Sequence, residues 1–214
     1  MAQVPATNTP VSEYDASVYL VVGLTKALSS APSEQLATYS MSLAWVETAR
    51  GKSIVQHNPG NLSAGANWSG DYWRPPWFDS TDPKYAKLHQ QMLDGTTPSA
   101  FRAYATPQAG WDAFAREVVR RKSLVAAMAS DDTLGIVRAL RETGYAPEYS
   151  DASAASFRSL AAEFRSRKLF SGLATATATV KAKPGSGVGA VAALFVLLAA
   201  VGAGAAMLLR RTRR

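Results

Sequence analysis

A run of 22 residues without a charged side chain, residues 188–209, constrains the fold of this 214-residue chain more than any other feature. Nearly every residue in the run is apolar or glycine. An α-helix of this length rises roughly 33 Å, which covers a bilayer core of about 30 Å. A buried soluble helix is the alternative, but such a helix rarely lacks a polar face for so long. The run therefore predicts a transmembrane helix near the C-terminus.

Composition divides the rest of the chain into four parts. Residues 171–187 are rich in alanine, threonine and glycine, which is typical of a flexible linker, and residues 210–214 form a basic tail. Residues 12–170 are numerous enough for one domain with its own core. Residues 1–11 lack the basic and apolar regions of a secretory signal peptide. They are predicted to be a flexible lead.

The net charge of +7 belongs mainly to the C-terminal part. Six basic residues and no acidic residue follow residue 170, whereas the preceding part carries 17 basic and 16 acidic residues. A nearly neutral domain argues against nucleic-acid binding. The absence of cysteine excludes disulfides and thiolate chemistry, and two histidines are too few for a convincing zinc site. We therefore expect neither a metal nor a cofactor.

Hydrophobic periodicity predicts a mainly α-helical (α+β) domain. The predicted helices cover about residues 13–29, 33–50, 84–92, 106–129, 132–143 and 152–167. Residues 56–106 are dense in turn-forming and aromatic residues, which indicates loops and a small irregular β lobe.

Glu47 is the most conspicuous polar residue of the second predicted helix. It lies in "AWVETARGKS", residues 44–53, one turn before the helix stop at Gly51. A carboxyl group in a partly apolar cleft has a raised pKa and stays protonated near neutrality. Cleavage of a glycosidic bond needs such a general acid. An exposed glutamate at a helix end is the alternative interpretation of the helix pattern alone.

Four segments in a defined order support the catalytic interpretation: "LAWVETARGKS", "HNPGNLSAG", "FRAYATPQAGWDAFAREV" and "GYAPEYSDASAASFRSLAAEF". They resemble, in turn, the catalytic helix, the asparagine-rich segment, the aromatic-rich block and the tyrosine-bearing closing block of the glucosaminidase family of bacterial autolysins and flagellar-type muramidases. The resemblance covers roughly residues 33–165. It implies a lysozyme-like fold with a small β lobe and cleavage of the glycan strands of peptidoglycan.

The resemblance also implies roles for individual residues. Glu47 matches the catalytic acid, and Tyr145 matches the tyrosine that lines the cleft. Asn58 and Asn61 match the segment that shapes the cleft floor. Tyr104 belongs to the aromatic block, and we expect it to contribute to substrate binding.

The closing block departs from the family pattern, because Pro147 and Glu148 stand where a small polar residue and an aspartate are usual. The second acid of the family is not placed by a motif, and Asp71, Asp79 and Asp82 of the predicted β lobe are the candidates. Inverting chemistry needs carboxyl groups about 6.5–9.5 Å apart, and retaining chemistry about 5–5.5 Å. A lytic transglycosylase, which uses the substrate's own groups, needs only Glu47.

Aromatic residues crowd the segment between these blocks. Aromatic faces stack on sugar rings, so we expect at least one of Trp68, Trp73 and Trp77 to bind glycan. The others are predicted to form a local core of the β lobe.

Together these features predict a membrane-anchored peptidoglycan hydrolase, single-pass through residues 188–209. Because residues 1–11 do not resemble a signal peptide, a bacteriophage virion membrane is favoured as the expected location, for cell entry, with the host envelope as the alternative. Its expected partners are peptidoglycan, lipid and other virion membrane or vertex proteins, with packaged DNA or anionic lipid at the basic tail. The alternative functions are a lytic transglycosylase and a non-catalytic wall-binding or structural membrane protein.

Overall fold

The computed structural model describes residues 1–171. Within this range the chain is mainly helical, with seven α-helices, one short 3-10 helix at Pro83–Tyr85 and one two-stranded sheet. The helices are α1 (Glu13–Leu28), α2 (Glu34–Glu47), α3 (Ala86–Leu93), α4 (Pro107–Val119), α5 (Lys122–Ala129), α6 (Thr133–Glu142) and α7 (Ser153–Ser166). The strands are β1 (Tyr72–Trp73) and β2 (Phe101–Arg102).

Side-chain caps set the starts of four helices. The capping residues are Ser12, Ser33, Thr106 and Asp132, each of which accepts a hydrogen bond from the backbone N–H three residues later. Such caps satisfy an N–H group that has no partner inside the helix. The single helix predicted over residues 106–129 is interrupted, because Arg121 leaves the helical conformation with φ −92° and ψ 86°. This break separates α4 from α5.

The main core lies between the helices. α1 packs chiefly against α4, and α2 packs against α7 and α5. The interior is filled by large aromatic and aliphatic side chains, among them Leu20, Tyr39, Trp111, Phe114 and Phe157. The packing of α2 against α7 and α5 fixes where the C-terminal end of α2 lies.

Gly110 allows α4 to approach the loop that follows α2. A Cβ atom at this position would lie 1.7 Å from the carbonyl oxygen of His57. We expect Gly110→Ala to lower the free energy of unfolding by about 1–3 kcal/mol, since backbone must move to relieve the overlap. Gly65→Ala is the matched control, because a Cβ there meets no described atom within 4 Å. Equal chemical denaturation midpoints for the two variants would contradict this prediction.

The β lobe has a small core of its own. β1 and β2 pair antiparallel, with Tyr72 opposite Arg102 and Trp73 opposite Phe101. The Trp73 and Phe101 rings stack with their centroids 4.9 Å apart. The lobe therefore contains a two-stranded ladder and an aromatic pair, and it lies beside the loop that follows α2.

Residues 1–11, predicted to be a flexible lead, lie against this loop and β1. The Val4 N–H donates to the Tyr72 carbonyl at 2.8 Å, and the Thr9 N–H donates to the Ile54 carbonyl at 2.6 Å. The Gln56 N–H donates back to the carbonyl of Thr7 at 2.9 Å. The segment thus contributes backbone partners to a region with little regular secondary structure.

Membrane insertion is the part of the predicted fold class that needs correction. Among residues 1–171, no helix is both long and apolar enough to cross a bilayer. The 16 residues of α1 rise only roughly 24 Å, and they include Glu13, Asp15 and Lys26. The predicted transmembrane helix at residues 188–209 lies outside the described residues. The structure therefore does not support a fold with a C-terminal transmembrane helix.

The predicted localisation is corrected with it. The sequence predicts a single-pass protein of a virion membrane, or of a host envelope, from that helix. The described α-helices have 8 to 16 residues each. They offer no membrane anchor, so the single-pass localisation has no support in the part of the chain that is described.

Candidate active site

Glu47 is the last residue of α2. The predicted stop at Gly51 is four residues too late, because Thr48, Ala49 and Arg50 already leave the helix. The Thr48 hydroxyl donates to the Ala44 carbonyl at 2.6 Å and accepts from the Gly51 N–H at 3.2 Å. Ala49, Arg50 and Gly51 all have positive φ, which turns the chain away. The chain therefore turns away directly after Glu47.

Two side chains hold the Glu47 carboxyl group. The Tyr149 hydroxyl donates a hydrogen bond to Glu47 Oε1. Asn61 Nδ2 lies 3.4 Å from Glu47 Oε2 and also donates to the Glu47 backbone carbonyl at 2.8 Å. Both carboxyl oxygens of this half-buried group therefore have a donor, which fixes its orientation.

Burial raises the pKa of the Glu47 carboxyl above its usual value. The hydrogen bonds from Tyr149 and Asn61 oppose this shift, and the negative charge of Glu148 adds to it. Burial and the Glu47 charge also raise the pKa of Tyr149, so the phenol keeps its proton. The site therefore holds a carboxyl group with an increased affinity for a proton beside a permanent hydrogen-bond donor.

Tyr145 supports the loop at residues 58–62 and makes no hydrogen bond to Glu47. Its hydroxyl donates to the Gly60 carbonyl at 2.9 Å. The Arg121 guanidinium lies over its ring, 4.8 Å from the centroid. Burial is the main cause of the raised pKa of Tyr145, and the nearby Glu47 charge contributes. The structure thus places this predicted catalytic residue beside the carboxyl group, in a supporting position.

Asn58 organises the same loop from inside the protein. Its fully buried side chain accepts from the Leu62 N–H at 2.8 Å and donates to the Leu62 and Arg102 carbonyls at 3.0 and 3.1 Å. These bonds tie the loop to β2 and help to set Asn61, which has a φ of 46°. Of the two predicted substrate-binding asparagines, Asn61 contacts Glu47, whereas Asn58 lies beneath the surface.

The three aspartates considered as second acid have partners elsewhere in the β lobe or are exposed. Asp71 accepts from the Ala2 N–H at 3.0 Å. Asp82 caps the 3-10 helix and forms an ion pair with Lys84 at 2.9 Å, while Asp79 is exposed. The carboxylate whose charge acts on Glu47 is instead Glu148.

Two of the three candidate tryptophans pack around Phe101. Trp73 is buried and stacks on the Phe101 ring, and Trp77 meets the same ring edge-on with centroids 6.3 Å apart. Trp73 therefore has little surface to offer a glycan. Trp77 is half-buried and retains part of its surface.

Trp68 and Tyr104 form a separate aromatic pair. Their rings meet edge-on with centroids 5.7 Å apart, and the Arg102 guanidinium lies 4.9 Å from the Trp68 centroid. Both side chains are half-buried. Among the aromatic residues predicted to bind glycan, this pair has a positively charged side chain against its surface.

Sequence reasoning missed the contact of Tyr149 and the proximity of Glu148. Both belong to the closing block "GYAPEYS", which contains two tyrosines four residues apart. The resemblance selected Tyr145, but the turn at residues 146–149, closed by the Tyr149 N–H on the Ala146 carbonyl, brings the second tyrosine to Glu47. The presence of a second tyrosine in this block was the sequence signal that could have indicated Tyr149 as a contact of Glu47.

A cavity of about 200 Å³ lies apart from Glu47, between residues 9–12, α1 and α4. His57 lines it, and burial lowers the pKa of this histidine.

Within residues 1–171 no three histidine, aspartate or glutamate side chains are placed to hold a metal ion. Comparisons with protein-family models, curated proteins and solved structures gave no match. The chemistry of the site is therefore argued from its own geometry.

Proposed function

We propose that the chain is a peptidoglycan-cleaving glycosidase that acts on the β-1,4 bonds of the glycan strand. The observation that carries the proposal is the Glu47 carboxyl group, half-buried at the end of α2, held by Tyr149 and Asn61 and raised in pKa. A protonated carboxyl with fixed orientation is what general acid catalysis of glycoside cleavage requires. The resemblance of four ordered segments to the glucosaminidase family supports the same substrate.

In the proposed reaction, Glu47 transfers its proton to the glycosidic oxygen as the bond to the anomeric carbon breaks. The leaving sugar departs as an alcohol, and Glu47 becomes a carboxylate. The Tyr149 hydroxyl then donates to a full negative charge, and a hydrogen bond to a charged acceptor is stronger than one to a neutral acceptor. Tyr149 thus stabilises the form of Glu47 that proton transfer creates.

The positions of the other carboxylates favour a route that depends on Glu47 as the sole acid. Asp71 and Asp82 are engaged in the β lobe, and Glu148 is exposed. The electron pair that completes the anomeric carbon then comes from the substrate. Its 6-hydroxyl group can attack and return its proton to the Glu47 carboxylate as a 1,6-anhydro ring forms, or its N-acetyl oxygen can attack to form an oxazolinium ring that water later opens. Hydrolysis by water is the second route, for which Glu148 is the nearby carboxylate that could accept the proton of water.

Replacing the aspartates separates these routes. We expect Asp71→Asn, Asp79→Asn and Asp82→Asn each to keep activity within a few-fold of wild type, far from the loss of about 10²–10⁴ expected for a general acid or base. Activity is measured as release of soluble fragments from purified sacculi. A loss in one variant equal to that of Glu47→Gln would identify that aspartate as the second acid.

Mass spectrometry of the released fragments then reports the route. Products with 1,6-anhydro ends would establish the transglycosylase reaction, whereas reducing ends would establish hydrolysis. Reducing ends together with an inactive Glu148→Gln variant would assign water activation to Glu148. Full activity of Glu148→Gln would exclude that role.

A further inference from the structure

A cluster of arginines surrounds one carboxylate near the candidate site. The guanidinium cluster consists of Arg102, Arg120 and Arg121 around Glu117. The distances to the Glu117 carboxylate oxygens are 3.7 Å from Arg102 Nη1, 2.6 Å from Arg120 Nε and 2.7 Å from Arg121 Nη1. Three positive groups therefore share one negative group, which leaves two positive charges without a neutralising partner in the cluster.

Burial makes this imbalance costly for the free protein. The side chains of Arg121 and Glu117 are only 9% and 13% exposed, and that of Arg102 is 26% exposed. Within the described residues, Arg121 Nε is buried without a hydrogen-bond partner. Buried polar groups are normally paired, so an incompletely paired guanidinium beside excess positive charge is a site that an anionic ligand would stabilise.

Structural contacts connect the cluster to Glu47. The Arg121 guanidinium lies on the Tyr145 ring, and the Tyr145 hydroxyl holds the Gly60 carbonyl in the loop that carries Asn61. The carbonyl of Arg102 accepts from Asn58, which anchors the same loop. The Tyr145 side chain thus links the cluster to the loop at residues 58–62, which carries Asn61.

An aromatic face adjoins the cluster. The Arg102 guanidinium lies on the Trp68 ring, and the Arg102 Nε donates to the Ser63 carbonyl at 2.9 Å. These contacts hold the guanidinium in place, and its remaining N–H groups can meet a carboxylate in two parallel hydrogen bonds. A planar anion and an apolar segment attached to it would both find complementary surfaces here.

We propose that the guanidinium cluster binds a carboxylate of the peptide attached to the muramic acid residues of peptidoglycan. This inference rests on the proposed function and defines its substrate further. In glycan without peptide, each muramic acid carries one lactyl carboxylate close to the sugar ring. In peptide-bearing glycan that carboxyl is an amide, and the free carboxylates lie further out, on the peptide. The cluster therefore makes the enzyme selective for peptide-bearing glycan over the same glycan without peptide.

Binding measurements on the full chain carrying Glu47→Gln test this inference without turnover. The probes, titrated by calorimetry, are a soluble disaccharide–peptide fragment of peptidoglycan and a peptide-free disaccharide. In the peptide-free probe the lactyl carboxyl group of the muramic acid is capped as a methylamide, so that it carries no carboxylate. We expect Arg102→Gln to weaken binding of the peptide-bearing fragment roughly tenfold or more, as for loss of a charge-assisted hydrogen bond. Binding of the peptide-free disaccharide should stay unchanged, and Arg102→Lys should restore part of the loss.

Two further variants guard against a folding artefact. Arg120→Gln alters a side chain that is 65% exposed, so we expect no effect on the fold. It should weaken binding of the peptide-bearing fragment by a few-fold. Arg141→Gln is the matched control, because Arg141 also forms an ion pair, with Asp151 at 3.1 Å, outside the cluster. It should bind both probes as the parent chain does.

Three outcomes would overturn the inference. Equal affinities of the parent chain for the two probes would show that the peptide carboxylates are not recognised. An equal loss on both probes in Arg102→Gln would show that the cluster is structural. A third outcome is that a wall polymer of glycerol phosphate displaces the bound probes while the peptide makes no difference to their affinity. This outcome would assign the cluster to phosphate binding. Failure of the proposed function is distinguishable, because it appears as lack of turnover by wild type whatever the binding result.

Discussion

Glu47→Gln should abolish the release of soluble fragments from sacculi while leaving the fold intact. Glutamine keeps the shape of the side chain and can still contact Asn61, but it has no proton to give to a glycosidic oxygen. A general acid contributes about 10²–10⁴-fold to the rate, so we expect a loss of at least that size. The measurement is the initial rate of fragment release from purified sacculi by the wild-type and variant chains.

The same substitution makes a prediction about stability. Because the pKa of Glu47 is raised in the folded protein, the folded state binds more protons than the unfolded state between the two pKa values. The contribution of Glu47 to stability is therefore present below its unfolded pKa and is lost as pH rises through the folded pKa. At pH 7, Glu47→Gln should melt at or above the wild-type temperature. An active variant, or an inactive one that is unfolded, would contradict the assignment of Glu47 as the acid.

Tyr149→Phe should lower the rate and move the pH profile. The Tyr149 hydroxyl lowers the pKa of Glu47 by its hydrogen bond, so removing the hydroxyl should raise that pKa further. Activity requires protonated Glu47, so the limb on which activity falls with rising pH should shift to higher pH. The rate below this limb should fall about 10–100-fold, because the carboxylate formed by proton transfer loses a hydrogen bond to a charged group.

Tyr145→Phe is the matched control for this prediction. It removes a hydroxyl from the same closing block, but that hydroxyl donates to the Gly60 carbonyl and not to Glu47. We expect a decrease of about 1 kcal/mol in the free energy of unfolding and no shift of the pH limb. A shift of the limb in Tyr145→Phe, with none in Tyr149→Phe, would show that the two tyrosines have the opposite roles.

Local sequence determined much of the secondary structure of the domain. The caps Ser12 and Ser33 act locally, because a cap needs only a hydroxyl and an N–H group three residues later. The position of Glu47 near the end of an apolar helix was visible for the same reason, since helical periodicity is a local property. The membrane-spanning helix was inferred from composition alone, and none of the described helices has the required length and hydropathy.

Tertiary structure alone decided which residues surround Glu47. Tyr149 follows Glu47 by 102 positions and Asn61 follows it by 14, so their contacts depend on how α2 packs against α7 and on the bonds of Asn58 to Leu62 and Arg102. Similar residue types were available at other positions of the same segments, and periodicity cannot choose between them. The raised pKa of Glu47 has the same origin, because burial of a carboxyl group results from packing of distant segments and is not encoded in its immediate neighbours.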